Sequence, residues 1–445
     1  SAAFIPVLLG IKNKSKNDKE IITFVEHTMS LLFFVIIIIT VLFYFFMPFV
    51  IAILAPGFVK NKETYELAIH FGKIIFPYLL FIALVAQFSS ITNTYNRFAF
   101  GAFAPAILNI SFIGSLIFFT PYVLSPGHAL SYGVLIGGVM QFLLMYYAIY
   151  KLQITPILVL PKIDDNVKKF LKLLLPGMLG AGAIQINIIV GTIIASFLPT
   201  GAISHLYYAD RINQFPLALF GIALGIALLP TLSNYIKQGA NEEKINNIQN
   251  RSLEFSLLIS LPSAAGLFIL SEPIIRILFE RGSFSNVDTY YSSQVLSLFA
   301  LGLPAYILIK VLNPSFFARE DTKTPLYITL ICVVLNVILS LLLISSIREM
   351  GIALATAISS WANVLILYIL LKNKWNLSLD MRLKTNFIKI LIATIITFFG
   401  ILLFRNIFLT GITDSNTLIN ALLLLLNILF ALIIFASMVF VLKIY

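Results

Sequence analysis

Long apolar segments separated by short polar loops make up almost the whole chain. A membrane-spanning helix needs about 20 mostly apolar residues, and the run 31–46 is apolar almost throughout. Several of the segments exceed 30 residues, which predicts helices that tilt, kink or project from the bilayer. The twelve predicted spans are 20–54, 64–95, 102–123, 129–151, 167–198, 202–235, 249–280, 288–317, 323–346, 350–372, 385–406 and 417–443.

Proline occurs inside many of these predicted helices. Pro77, Pro176, Pro216, Pro262 and Pro304 all lie within spans. Membrane helices tolerate such breaks where they line a cavity or pack against protein. The pattern is typical of transport proteins.

The composition excludes a soluble domain. The 445 residues are 60% hydrophobic and 11% charged, whereas a globular domain is about 45–50% apolar and about 25% charged. An outer-membrane barrel is also excluded, because its strands alternate apolar and polar residues in segments of about 10. The pattern therefore predicts an all-α polytopic membrane protein.

Few residues in the chain suggest chemistry other than transport. Cys332 is the only cysteine, so a disulfide within the chain and a CxxC metal or redox site are excluded, and we expect the thiol to be buried. The four histidines have no metal-ligand spacing, and no nucleotide-binding or hydrolase motif is present. The sequence indicates a transporter rather than an enzyme, with no cofactor.

The basic residues lie predominantly on one side of the predicted membrane. Of the 30 Lys and Arg residues, 19 fall in loops on one side and 6 in loops on the other, and the rest lie in or at the ends of helices. Cytoplasmic loops carry such an excess, so the lysine-rich side is predicted to be cytoplasmic. The net charge of +11 is then explained without a nucleic-acid partner.

The sequence also repeats itself at a shift of about 225 residues. The segment AFIPVLLGIKNKSKNDKEI at 3–21 resembles ALLPTLSNYIKQGANEEKI at 227–245. The matched pairs are Pro6 and Pro230, Pro48 and Pro273, Gly57 and Gly282, Pro77 and Pro304, and Asn109 and Asn336. Because each full copy holds an even number of helices, its pseudo-twofold axis should run along the membrane normal.

The repeat predicts two six-helix lobes followed by two additional helices, or 14 spans in a complete chain and about 12 here. The first copy has about 55–60 fewer residues than the second before its matched proline, so we expect the first helix and most of the second to be missing. The predicted domains are an N-lobe at 1–160, a C-lobe at 161–378 and two additional helices at 379–445.

A stripe of polar residues occurs inside the span 202–235. Asp and Arg each cost about 2.5–3.5 kcal/mol at a bilayer centre. Tyr207, Asp210, Arg211 and Gln214 follow helical spacing on one face, and Ser204 extends it by one turn. One interpretation is an Asp–Arg pair that packs helices. The other is the lining of a central cavity, in which Arg211 would bind phosphate bidentately.

Other polar residues lie within the spans. Lys310 occurs near the middle of an apolar helix and either snorkels or reaches substrate. Asn187 would line the same cavity as the stripe, or hydrogen-bond between helices. Glu254 lies near a helix end, so we predict that it is an interfacial charge.

Five segments are distinctive, namely AFIPVL at 3–8, LAPGF at 54–58, NTYNRFAFGAFAPAILN at 93–109, YYADRINQFPLALFGIALGIALLPTLS at 207–233 and KVLNPSFFAREDTKTP at 310–325. Over essentially the whole chain, the sequence resembles the MurJ (MviN) family of lipid II flippases. These flippases belong to the superfamily of multidrug and polysaccharide exporters. The resemblance implies fourteen helices, a central cationic cavity and a lipid-tail groove formed by the last two helices.

The resemblance also implies a function in peptidoglycan synthesis. The chain would move lipid II, a disaccharide-peptide linked to undecaprenyl pyrophosphate, from the cytoplasmic to the periplasmic leaflet of the inner membrane by alternating access. Membrane lipids and cell-wall synthesis proteins would be its other partners, and the membrane potential or a monovalent ion would drive it. Lys389 matches an arginine of the family's thirteenth helix, whereas Gln214 replaces a frequent glutamate.

Two other functions stay open at this point. One is an ion-coupled exporter of drugs or of other lipid-linked glycans. An arginine at mid-membrane disfavours cationic drugs as substrates. The other is an inactive truncated product, which the expected loss of the first helices would explain.

Overall fold

The computed structural model describes residues 3–14, 18–239, 241–409 and 417–444, and in helix α8 it leaves out the side chains of residues 175–184 and 187. The described residues form sixteen α-helices. They are α1 Phe4–Lys14, α2 Asp18–Phe45, α3 Met47–Leu54, α4 Lys62–Ile75, α5 Tyr78–Thr94, α6 Ala99–Phe119, α7 Pro126–Tyr150, α8 Asp165–Ala195, α9 Ala202–Pro216, α10 Ala223–Lys237, α11 Glu242–Phe279, α12 Asn286–Phe317, α13 Lys323–Ile347, α14 Glu349–Trp375, α15 Met381–Phe404 and α16 Thr417–Val441.

These helices confirm the polytopic membrane fold. By length and composition, 10 helices of the described residues can cross a membrane, or up to 11 if the bent pair α4–α5 counts as one span. The predicted span 167–198 corresponds to α8, part of whose side chains lie outside the described residues. The other eleven predicted segments all coincide with observed helices.

Prolines break some predicted spans and leave others continuous. The segment 20–54 is interrupted at Phe46, just before Pro48, and α4 and α5 meet at Pro77 with a bend of 40°. The Tyr65 hydroxyl donates to the Pro48 carbonyl oxygen at 2.6 Å, which pairs one backbone acceptor beside the first break. By contrast, α12 continues through Pro304.

The helix bounds repeat with the spacing that the sequence predicts. Helices α2 and α3 together run from Asp18 to Leu54, and α11 runs from Glu242 to Phe279. Helices α6 and α7 have their counterparts in α13 and α14, again about 224 residues further on. The relative placement of two six-helix lobes stays a prediction.

The chain divides into two compact units, Ser1–Gln185 and Ile186–Tyr445. The first unit packs around large buried side chains such as Phe24, Phe88 and Met145. The second has several buried clusters, and the largest includes Leu232, Phe316 and Cys332. The predicted burial of the lone thiol is thus confirmed.

In the second unit, polar contacts attach α15 to α11 at both ends. Glu254 is only 8% exposed and accepts hydrogen bonds from Arg251 and Asn386. At the other end, Arg405 donates to the Ile269 carbonyl oxygen at 2.8 Å and to Glu272 at 3.0 Å. The sequence predicts Glu254 as an interfacial charge, and the structure adds that it is buried and that Asn386, 132 residues away, donates to it.

Asp380 completes the first attachment and gives it a pH dependence. It caps α15 by accepting from the Leu383 N–H at 2.7 Å and also pairs with Arg251. Burial alone would raise the pKa of Asp380, but the Leu383 N–H and the Arg251 guanidinium together hold it below its usual value. The carboxylate therefore stabilises the fold fully above the unfolded pKa of about 3.9, and this contribution is lost as the pH falls through the folded pKa.

We expect Asp380→Asn to lower the thermal midpoint at pH 7, because asparagine keeps the cap but loses the charge. The loss of unfolding free energy should stay below about 1 kcal/mol, because the Arg251–Asp380 pair is only partly buried. Thermal unfolding in detergent between pH 7 and pH 3 measures it, and the variant and the parent should converge at acid pH. A constant difference at every pH would contradict the assignment to the charge.

Candidate functional site

The predicted polar stripe lies on α9, directly before a stretch of π-helix at Leu217–Ile222. Arg211 is nine residues beyond the first residue of α9, Ala202, which places it about 13 Å along the helix at 1.5 Å per residue. A bilayer's hydrocarbon core is about 30 Å thick. The Asp–Arg block therefore lies inside the membrane span Ala202–Lys237, about a quarter of the way along its 36 residues.

The structure divides the stripe between two neighbouring faces of α9. Asp210 and Gln214 line a cavity of about 340 Å³, and the Gln214 amide donates to the Asp210 carboxylate. Arg211 instead lies over the Tyr207 ring, with its guanidinium carbon 4.7 Å from the ring centroid. Because Asp210 takes its hydrogen bond from Gln214, Arg211 is left without an ion pair among the described residues.

Lys310 reaches the same cavity from α12. All of its lining residues belong to the second unit. Gly225 of α10 makes the close approach to α12, because a Cβ atom there would lie 2.9 Å from the Lys310 carbonyl oxygen. The lining residues are Asp210, Asn213, Gln214, Leu217, Ala218, Ile222, Phe299, Tyr306, Lys310 and Thr356.

The other predicted site residues lie elsewhere. Ser204 and Tyr207 are exposed and do not line this cavity. Lys389 of α15 donates to the Lys443 carbonyl oxygen at 3.3 Å, which ties it to the end of α16. The side chain of Asn187 lies outside the described residues. Their roles in binding remain predictions.

Sequence reasoning missed three of the cavity's polar residues and one buried charge cluster. Asn213, Tyr306 and Thr356 line the cavity, and none of them was singled out. Asn213 lies three residues from Asp210, and Tyr306 lies four residues from Lys310. Because such spacing places two residues on one helix face, it was the signal that could have identified these two residues.

The charge cluster joins α9, α12 and α14 near their first turns. Nδ1 of His205 lies 2.8 Å from the Glu349 carboxylate, and Nε2 lies 3.0 Å from Asp288. Both ring nitrogens donate only when the imidazole is protonated, so the geometry describes an imidazolium between two carboxylates. In the described part of the chain, no group of three His, Cys, Asp or Glu residues has the arrangement of a metal site.

A second, apolar cavity of about 370 Å³ lies between α11, α15 and α16. Pro262 and Gly266 of α11, Thr397 of α15 and Leu432 of α16 are among its lining residues. It lies between the two polar attachments of α15. This is the position at which the resemblance predicts a lipid-tail groove.

Comparison with known proteins agrees with these features. The family model described as lipid II flippase MurJ matches residues 1–423. A probable lipid II flippase MurJ of Rhizobium tropici is 39% identical over 381 residues, 85% of this chain and 71% of that protein. One of Rickettsia prowazekii is 35% identical over 447 residues, 100% of this chain and 87% of that protein.

Solved structures share the fold. A lipid II flippase MurJ in an inward closed conformation has a TM-score of 0.79 at 30% identity, covering 97% of this chain and 87% of that one. An inward-facing multidrug transporter of the MATE family has a TM-score of 0.67 at 14% identity, covering 86% of each chain, and so shows the fold alone. From the family match along nearly its whole length, the chain belongs to the MurJ family of lipid II flippases.

Proposed function

We propose that this chain carries lipid II from the cytoplasmic to the periplasmic leaflet of the bacterial inner membrane. Family membership supports this proposal, and it favours neither a drug exporter nor an enzyme. The observation that carries it is Arg211, an arginine within the membrane span Ala202–Lys237 that has no carboxylate partner among the described residues.

An unpaired guanidinium inside a membrane requires an anion to offset its desolvation. The planar fork of arginine binds phosphate oxygens through two parallel hydrogen bonds. Packing against Tyr207 holds the guanidinium plane, since a cation over an aromatic ring is attracted by the ring's face. Arg211 would therefore bind the pyrophosphate, while the sugars and the peptide occupy the space nearby.

The apolar cavity beside α15 and α16 would hold the undecaprenyl tail. Its lining is almost wholly apolar, and polar contacts join two of its walls, α11 and α15. The head group would then cross by alternating access while the tail stays in lipid. Because the substrate is charged, the membrane potential, worth about 2.3 kcal/mol per charge per 100 mV, or a monovalent ion would supply the energy.

The decisive test is complementation of a strain depleted of its own lipid II flippase. Expression of this chain should restore growth and the appearance of lipid II in the outer leaflet, measured by its accessibility to an added hydrolase. Membrane insertion without any recovery of accessible lipid II would overturn the proposal. Export of a cationic dye, with no lipid II recovery, would instead identify a drug exporter.

A further inference from the structure

The linker between α7 and α8, residues 154–164, exposes a cluster of apolar side chains. It contains neither helix nor strand, and it lies outside the predicted spans, which end at 151 and begin again at 167. Its exposed apolar side chains are Ile157 at 64%, Leu158 at 54%, Leu160 at 81% and Ile163 at 56%. A cluster of this kind marks a surface that contacts either another protein or a membrane.

Side chains of α2 hold the backbone of this linker. Three N–H groups of the linker donate to them, namely Ile157 to Glu26 at 3.2 Å, Val159 to Ser30 at 3.0 Å and Lys162 to His27 at 3.2 Å. The contacts thus advance four residues along α2, about 6 Å at 1.5 Å per residue, and then return. The linker reaches furthest along α2 at Val159.

Ser30 lies at the boundary between the polar and the apolar part of α2. The charged residues of α2 and His27 all lie between 18 and 27, and an apolar run begins at 31. Because charged side chains are costly in the hydrocarbon core and apolar runs fill it, this boundary lies at the membrane surface. The linker therefore approaches the hydrocarbon at Val159, between Leu158 and Leu160.

We propose that the linker is an interfacial anchor, which inserts its exposed apolar side chains into the leaflet on the lysine-rich side, predicted to be cytoplasmic. Exposed lysines lie on both sides of the cluster, at Lys151, Lys162, Lys168 and Lys169. They outnumber the two neighbouring aspartates, Asp164 and Asp165. Lysines at this level attract the phosphates of anionic lipids, so charge and apolar surface favour the same partner.

The backbone of the linker argues against a strand of another protein as the partner. An added strand pairs with a row of free backbone N–H and C=O groups. Pro156 and Pro161 have no N–H group, and three other N–H groups donate to α2, so five of the seven positions 156–162 offer no donor. A lipid surface needs only the exposed side chains.

Spin labels measure the insertion directly in the full chain. Cys332→Ala removes the lone cysteine, and Leu160→Cys and Ile163→Cys then introduce single labelling sites. Thr155→Cys is the matched control, because Thr155 is an exposed polar residue of the same linker. Each protein carries a nitroxide and is reconstituted in vesicles of phosphatidylethanolamine and phosphatidylglycerol. Collisions with oxygen, which concentrates in the bilayer, are compared with collisions with a water-soluble nickel chelate.

We expect the oxygen-to-nickel ratio to be several times higher for Leu160→Cys and Ile163→Cys than for Thr155→Cys. Nickel accessibility equal to that of the control would place the linker in water and overturn the proposal. Low accessibility to both reagents would show that protein covers the linker, and would also overturn it. The inference is independent of the substrate, so none of these outcomes bears on the flippase function.

A change of lipid tests the lysines. Replacing phosphatidylglycerol by phosphatidylcholine should lower the oxygen-to-nickel ratio of Leu160→Cys, because the attraction of the lysines to anionic lipid is lost. Lys162→Gln should lower it in the anionic vesicles. Lys62→Gln is the matched control, since Lys62 is an exposed lysine at the start of α4, on the opposite predicted side. A ratio that changes with neither lipid nor Lys162→Gln would contradict the role assigned to the lysines.

Discussion

Replacing Arg211 by glutamine should reduce lipid II translocation about ten- to hundredfold while leaving insertion and folding intact. Arg211 is exposed and makes no ion pair with the described residues, so its loss removes only the contact with Tyr207 and the Coulomb interaction with the neighbouring Asp210. Hydrogen bonds to a charged group contribute about 1.5–3 kcal/mol, and every 1.4 kcal/mol is a factor of ten.

The measurement is the rate at which lipid II becomes accessible in the outer leaflet, normalised to the amount of inserted protein. Arg97→Gln is the matched control, because Arg97 is another exposed arginine in a predicted cytoplasmic loop. Arg211→Lys keeps the positive charge but loses the planar guanidinium that binds phosphate through two hydrogen bonds. It should therefore be more active than Arg211→Gln and less active than the parent. An undiminished rate in Arg211→Gln at normal expression would remove Arg211 from the binding site.

Replacing Glu349 by alanine should destabilise the second unit by about 3–5 kcal/mol, the cost of removing one partner of a buried ion pair. Glu349 is fully buried, contacts His205 at 2.8 Å and has the Arg348 guanidinium at 3.3 Å. Without Glu349, the His205 imidazolium and the Arg348 guanidinium each lose a carboxylate partner at the junction of α9, α12 and α14.

A double-mutant cycle measures this coupling directly. The free energy of unfolding in detergent would be determined for Glu349→Ala, His205→Ala and the pair. If the two residues act as one unit, the double variant should be much less destabilised than the sum of the single variants. Strictly additive losses would show that the short contact carries no net energy.

The sequence predicts the helices well because each depends on local information. A run of about 20 apolar residues has no alternative in lipid but a helix with its own backbone hydrogen bonds. The positions of the breaks were less predictable. Pro48 and Pro77 coincide with a break or a bend, yet Pro304 lies in a continuous helix, because the packing around each proline decides the outcome.

The candidate site was predictable only in part. Helical spacing brought Asp210 and Gln214 to one face, as the structure shows, but it could not say that Gln214 rather than Arg211 would be the partner. The presence of Lys310 in the same cavity depends on how α9 and α12 pack. The partners of His205, Asp288 and Glu349, lie 83 and 144 residues away along the chain. The spacing of residues within one helix cannot predict contacts with other helices.

The apolar cavity beside α15 has a consequence for how the protein distinguishes its substrate. A prenyl chain that leaves the bilayer for this cavity exchanges one hydrocarbon environment for another, so it gains little free energy of transfer. Glu254 and Arg405 join two of its walls, α11 and α15, so under the proposed function these two helices would set the direction of the tail. Under the proposal that this cavity holds the tail, selectivity among prenyl lipids would arise from the head group.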